Sequence, residues 1–331
     1  MGYTIKDIAK KVGVSPSTVS RVINGTATIS EETSQKIRAA MEEMNYHPNS
    51  MARSFATGLT RTIALVIDAD NEKSFANSFF NRSVFAIEKQ AQEAGFNLLI
   101  ANGNKNVGIS ASQLVYEKKV DGLIIPPNCM NRELEQLLKA NDFPCILLGK
   151  PKKKKAPFYW VDIDNRGGSR QAVEHLRKRG YQRPVLFIEN EATVFDSERA
   201  LGYAESVEED QQVVIHMAEH RDDLSATLKK LLKNKMDAAI CSNNEMAYLI
   251  GKEIKRLGYS VPQEIGMVTF DNYPLAEYME PPLSVVDVDT YSLGIEATKR
   301  LIDMIQKKEI KEDYGIIPTS LIERTSTRKE G

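Results

Sequence analysis

The chain has 331 residues, too many for one ordinary core, which points to a small module joined to a bilobed domain, or to two to three domains. Its 42% hydrophobic and 27% charged residues fit a soluble globular protein, and no apolar run approaches the ~20 residues that would cross a bilayer. A net charge of -1 leaves room for a local basic face, while three widely spaced cysteines without a CxxC pair, Cys129, Cys145 and Cys241, read as reduced, buried thiols and exclude a disulfide scaffold.

The first residues, Met1 to Asp7, lack the apolar core of a secretory signal, so a cytoplasmic protein is expected. The segment from Thr4 to Gly25 reads TIKDIAKKVGVSPSTVSRVING. Thr4 followed by Asp7 resembles a capping box, and Ile5, Ile8, Ala9 and Val12 fall on one helical face. Gly13 ends that helix as a C′ glycine. Ser15 is a good N-cap and Pro16 suits the first helical position, so a second short helix is expected from Pro16 to about Asn24. Val19, Val22 and Ile23 face inward there, and Ser17, Thr18, Ser20 and Arg21 are left outside. Two short helices joined by a glycine-containing turn make a helix-turn-helix, and a small polar face ending in arginine suits a major groove. Ser30 caps a third helix from Glu31 to about Met44, with Ile37, Ala40, Met41 and Met44 as its packing stripe.

Residues 1–60 hold seven basic side chains against five acidic ones, so charge alone does not identify a nucleic-acid binder. The pattern does. VSPSTVSRVING, ISEETSQKIRAAMEEMNYHPN and SMARSFATG (Ser50 to Gly58) resemble the LacI/GalR family of bacterial repressors, without a gap over some sixty residues. The resemblance implies a DNA-facing set of Thr4, Ser15, Pro16, Ser17, Thr18, Ser20, Arg21, Asn24, Asn49, Ala52 and Phe55. It also implies a hinge helix that folds when two subunits lie side by side on DNA, with Phe55 as its minor-groove wedge. The family usually has leucine at that place; a phenyl ring can also intercalate.

Beyond Gly58 apolar runs alternate with amphipathic helices: IALVI (63–67), FNLLIA (96–101), GLII (122–125) and CILLG (145–149). The series resumes with VLFI (185–188), VVIHM (213–217), AAIC (238–241), IGMVTF (265–270) and SVVDV (284–288). Continuous apolar strands separated by helices predict parallel sheets covered on both faces, and two sets predict two lobes with a cleft. Ligands bind outside the carboxyl ends of such strands. Asp68 and Asp70, Asn243 and Asn244, and Asp271 and Asn272 follow strands, Arg199 lies at a helix start, and Phe79, Phe80 and Trp160 could stack on sugar faces.

The same resemblance implies a regulatory domain like a periplasmic sugar-binding protein, and selects among these residues. Arg199 opens the motif Arg-x-x-Gly-Tyr and Asp271 lies in TFDN, while Asn243 heads the SNNEMA loop and Asn165 sits in VDIDNRGG. With Asp68, Phe79 and Trp160 they form the expected effector site, although Ser78 replaces the proline usual before Phe79. The FF-containing first loop and the late IPTSLIER segment are similar to maltose- and oligosaccharide-responsive members.

No P-loop, GxSxG elbow or GxGxxG occurs, and His216 and His220 do not form HExxH, so no enzyme activity, cofactor or metal is expected. The expected organisation is an all-α helix-turn-helix domain (1–48), a hinge helix and linker (49–60), and an α/β two-lobe periplasmic-binding-protein-like domain with parallel sheets (61–331). Its N-lobe spans about 61–160 plus 290–320, and its C-lobe about 161–289 plus 321–331. The expected function is a homodimeric repressor of carbohydrate-utilisation genes that binds a palindromic double-stranded DNA operator under a sugar effector, with no membrane partner. The alternative is a sugar-binding transport-type protein without a DNA function.

Overall fold

The computed structural model describes residues 3–24, 29–47, 58–67, 78–103, 110–152, 157–189, 192–220, 222–310 and 312–329. The chain divides into two compact units, residues 1–61 with 118–120, and residues 62–117 with 121–331. The expected hinge helix, with Asn49, Ala52 and Phe55, lies outside the described residues, as do Asp68 and Asp70.

The first unit holds α1 (Ile5–Val12), α2 (Pro16–Asn24) and α3 (Glu31–Glu43). Asp7 Oδ2 accepts the Thr4 backbone N–H at 2.8 Å and the Thr4 hydroxyl at 2.7 Å, which fixes the start of α1. Gly13 ends it at φ 75°, in the left-handed region where glycine is unstrained, with its N–H on Ala9 O at 2.9 Å. Ser15 Oγ accepts the Thr18 N–H at 3.1 Å and Ser30 Oγ the Thr33 N–H at 3.3 Å. Ile8, Ala9, Val19, Ile37 and Ala40 are buried, with Ile5, Val12, Val22, Ile23, Met41 and Met44 packed around them. The three helices therefore close a core of their own.

The second unit carries two six-stranded sheets. The first contains β1 (Thr62–Ile67), β2 (Asn97–Asn102), β3 (Gly122–Ile125), β4 (Cys145–Leu148), β5 (Tyr159–Ile163) and β11 (Tyr314–Ile317), in the order β11-β5-β4-β3-β1-β2. The second contains β6 (Pro184–Ile188), β7 (Val214–His216), β8 (Ala238–Cys241), β9 (Gly266–Phe270), β10 (Ser284–Val288) and β12 (Thr319–Ile322), in the order β12-β10-β9-β8-β6-β7. All pairings are parallel except β10 with β12. The two orders are the same pattern. In each the strand sequence reverses beside the first strand of the lobe, a switch point that opens a crevice at the carboxyl ends.

The central strands β6 and β9 are buried along their whole length because helices cover both faces. The helices of six residues or more are α4 (Ser78–Glu93), α5 (Ala111–Tyr116), α6 (Arg132–Ala140), α7 (Asn165–Lys178), α8 (Val194–Ala204), α9 (Leu224–Lys233), α10 (Asn244–Arg256) and α11 (Thr290–Ile305). Helix α11 packs on α4 and on β3, β4 and β5, while α7 packs on α8, β10 and β12.

The chain crosses between lobes three times: after β5, after β10, and at Pro318 between β11 and β12. The first sheet thus runs to Ile163, three residues beyond the expected 160, and the second resumes at Thr319, two residues before the expected 321. Three strands escape the apolar-run reading. β5 alternates buried and half-buried residues, and β11 and β12 are four-residue edge strands separated by a proline. The carboxyl end of β4 reaches the other lobe directly, where Lys150 Nζ meets Glu198 Oε1 of α8 at 2.7 Å.

Because each unit closes its own core, a chain reduced to residues 62–331 is expected to fold. Urea unfolding should show one cooperative transition at the midpoint this unit has in the full chain. A non-cooperative, dye-binding fragment would contradict the division.

Candidate functional site

The second lobe's cleft is built around Arg199. It lies on the second turn of α8, whose N-cap Thr193 Oγ1 accepts the Asp196 N–H at 3.3 Å. A Cβ on Gly202 would lie 2.1 Å from Arg166 O, so glycine there lets α8 press against α7. The next residue, Tyr203, anchors the helix through its hydroxyl, which donates to Pro184 O at 2.7 Å. The Arg-x-x-Gly-Tyr motif is therefore a mount: glycine sets the approach, tyrosine the attachment, and arginine is what it delivers.

Arg199 is 5% exposed. Its Nε donates to Asn165 Oδ1 at 2.9 Å, and its Nη1 to Ser242 O at 2.6 Å and Ser242 Oγ at 3.1 Å. The guanidinium lies 3.9 Å from the Phe270 ring centroid. Burial pushes its pKa below the ordinary range, and Asp271, Asp196, Asp162 and the Tyr273 phenol pull it back up. Asp196 accepts from the Ser242 hydroxyl. Asp162 accepts the Lys150 N–H at 3.0 Å and the Ile163 N–H at 2.8 Å, and burial raises its pKa.

Asp271 follows β9 with φ 73°, the left-handed region that costs a non-glycine residue of order 1–3 kcal/mol. Its N–H still donates to Val286 O at 3.1 Å, so the strained turn is tied to β10. Asn244 Nδ2 donates to Asp271 O at 2.9 Å. The Asp271 Oδ1 is buried without a hydrogen-bond partner, and so are Tyr273 Oη, Asp287 Oδ1 and Asn244 Oδ1. Burial raises the Asp271 pKa to about 6; Arg199 lowers it and the like charge of Asp287 raises it further. Unpartnered buried acceptors converging at strand carboxyl ends are the mark of a site that completes its hydrogen bonds with a ligand.

Of the effector residues read from sequence, Asn165, Arg199 and Asp271 come together. Asn243 uses its Oδ1 to cap α10, accepting the Met246 N–H at 2.8 Å, and the adjacent Asn244 reaches Asp271 instead. Trp160 lies near the amino end of β5, stacked on Tyr314 with centroids 4.7 Å apart and planes at 10°, away from the strand end that carries Asp162. Asp68 and the side chain of Phe79 lie outside the described residues. Sequence reasoning missed Asp287, Tyr273, Asp196 and Ser242. The signal for Asp287 was an acid inside the apolar run SVVDV.

On the first unit, α2 presents exposed Pro16, Ser17 and Arg21, with Ser17 and Arg21 one turn apart. Ser15 Oγ lies 2.9 Å from the half-buried Thr18 Oγ1, so these two hydroxyls serve the helix start, and the Thr4 hydroxyl serves α1. Ser20 is half-buried, and the side chain of Asn24 lies outside the described residues. Ser17 and Arg21 thus give this face one exposed hydroxyl and one exposed guanidinium.

Comparison with known proteins gives two domain matches. The model described as "Bacterial regulatory proteins, lacI family" matches residues 4–49, and "Periplasmic binding protein-like domain" matches residues 173–327. The HTH-type transcriptional regulator CelR of Thermobifida fusca is 30% identical over 334 residues, 98% of each chain. The HTH-type transcriptional regulator MalR of Streptococcus pneumoniae serotype 4 is 32% identical over 319 residues, 92% of this chain and 93% of its own. A solved complex of transcriptional regulator CelR with cellobiose superposes with a TM-score of 0.68 at 28% identity, covering 98% of this chain and 99% of that one.

The pKa of Asp271 makes a stability prediction. Its folded value of about 6 lies above the ordinary 3.8, so the stability it contributes is present below pH 3.8 and is lost as pH rises through about 6. At pH 7.5 the ionised group costs on the order of 2–3 kcal/mol relative to a neutral one. Asp271→Asn is expected to raise the unfolding free energy at pH 7.5 by that order, with the gain shrinking towards pH 4. A variant destabilised at pH 7.5 in urea titrations would show the carboxylate to be structural.

Proposed function

Because this chain belongs to the lacI family of bacterial regulatory proteins, and so is a DNA-binding transcriptional regulator, we propose that it represses carbohydrate-utilisation genes under the control of a saccharide bound between the lobes of its second unit. The observation that carries the effector reading is the set of unpartnered buried oxygens on Asp271 and Tyr273, which face the Arg199 guanidinium, and on Asp287 and Asn244 beside Asp271. A site built to bond hydroxyls holds groups that are costly to leave unpaired, and this one does. The cellobiose complex of the structural relative supports the ligand class. The transport-protein alternative does not account for the helix-turn-helix unit.

The DNA mechanism rests on α2. Two copies of the chain place two such helices in successive major grooves of a palindromic site, with Ser17 and Arg21 at the bases and phosphates. Association of two copies has a physical basis in the second unit, which exposes Phe85, Ile100, Leu249 and Tyr278. Phe55 is the residue offered as a minor-groove wedge between the half-sites. The protein acts where the DNA is, in the cytoplasm, and none of the described helices is long and apolar enough to cross a membrane. No enzyme activity is part of this reading. The saccharide shifts operator affinity only by the difference in its own affinity for the two lobe arrangements.

The test uses the full chain and a randomised duplex library. Selection should enrich a palindrome, bound with an affinity that falls steeply with salt, and cellobiose or maltose should shift that affinity by tenfold or more. Asp271→Ala should cut the saccharide response by roughly tenfold or more while leaving operator affinity unchanged. Absence of palindrome enrichment would overturn the DNA reading, and an Asp271→Ala protein with full saccharide response would remove Asp271 from the site.

A further inference from the structure

We propose that the effector is an uncharged, hydroxyl-rich saccharide, and that Asp287 together with Asp271 excludes phosphorylated and carboxylated sugars. The inference rests on the saccharide reading above and narrows it. Three observations carry it.

The first is the sense of the missing hydrogen bonds. Asp271 Oδ1, Asp287 Oδ1 and Asn244 Oδ1 can only accept, and the Tyr273 hydroxyl can do either. A ligand must bring donors to satisfy them. Sugar hydroxyls do so, whereas an ionised phosphate or carboxylate brings acceptors and leaves both sides unpaired.

The second is charge. Asp162, Asp196, Asp271, Asp287 and Asp289 surround the cleft, and the described cations facing them are Arg199, Arg82 and Lys150. Arg199 is already engaged by Asn165 and Ser242. Arg82 sits beside Asp289 and Tyr273, and Lys150 is paired with Glu198. An anion entering here meets an excess of carboxylates.

The third is the state of the helix ends. Phosphate sites commonly use open helix N-termini, where free N–H groups and the dipole favour negative charge. Helices α7, α8, α10 and α11 all begin at the cleft, and in each a side chain at the helix's own start already takes one first-turn N–H. Asp164 accepts the Gly167 N–H at 2.8 Å and Thr193 that of Asp196 at 3.3 Å. Asn243 accepts that of Met246 at 2.8 Å and Asp289 that of Ser292 at 3.0 Å. Two of those caps are themselves carboxylates.

Titration calorimetry on the full chain at physiological salt, with cellobiose, maltose, glucose and the 6-phosphates of each, tests the proposal. A neutral saccharide should bind, with its phosphate at least about a hundredfold weaker. Raising the salt should narrow that ratio, since part of it is unscreened repulsion. Asp287→Asn should narrow the ratio by about tenfold, and because the ratio is taken within each variant, any loss of sugar affinity common to the two ligands cancels; Asp287→Ser gives the same reading if the Asn variant folds poorly. A phosphate that binds as well as its parent sugar overturns the exclusion and leaves the saccharide reading intact. A ratio that Asp287→Asn leaves unchanged removes Asp287 as the determinant. Failure of every member of the panel to bind overturns the saccharide reading, and this proposal with it.

Discussion

The second unit's cleft depends on one buried cation. The Arg199 guanidinium is almost wholly removed from water, and an isolated charge there would be costly by many kcal/mol. It is tolerated because Asn165, Ser242 and the Phe270 ring hold it among Asp196, Asp271 and Asp162. The dependence runs both ways. Arg199 favours the ionised form of Asp271, while burial and Asp287 hold its pKa up at about 6. The neighbours hold part of this cluster and leave four oxygens unsatisfied, so it is stable but incomplete. This incompleteness is what the proposed saccharide would satisfy.

Backbone geometry serves the same arrangement. Asp271 accepts a left-handed φ of 73° to aim its carboxylate, while its N–H stays in the sheet. Gly202 lets α8 lie against α7, and α7 begins with Asn165, the residue that orients Arg199. Because α7 starts two residues after β5, Asn165 sits at a crossing between lobes. Lys150 and Glu198 tie the lobes together within one residue of Arg199, so a change in lobe angle bears directly on the cation's surroundings. The residues proposed to recognise the ligand thus lie beside those that tie the lobes.

Much of this was legible in the sequence. Caps such as Thr4, Ser15 and Ser30 and the glycine at position 13 act within a few residues, so the three N-terminal helices could be placed to within a residue. Buried parallel strands such as VLFI and AAIC announce themselves as apolar runs. Strand β5 did not, because Asp162 interrupts it and its residues alternate between buried and half-buried, and β11 and β12 are short edges on either side of Pro318. Within the site, Arg199, Asn165 and Asp271 came from motif resemblance. The roles of Asn243 and Asn244 depend on which of two adjacent carboxamides caps α10, which is a matter of backbone direction at Asn243 and not of residue type. Trp160 looked like a sugar platform because aromatics stack on sugars; pairing of β5 with β11 gives it Tyr314 as its partner instead. Asp287 was hidden because an acid in a strand reads as a solvent-facing position until the opposing groups are known.

The central claim is that Arg199 and the carboxylates around it form one coupled unit. A double-mutant cycle of Arg199→Met and Asp271→Asn, read by urea unfolding at pH 7.5, measures that coupling. Removing the cation alone should cost on the order of 3–5 kcal/mol, since it strands buried carboxylates. Asp271→Asn should then recover at least about 1 kcal/mol more in the Arg199→Met background than it contributes to the wild-type protein. Effects that add to within about 0.5 kcal/mol would show that the two groups are independent and would contradict the account.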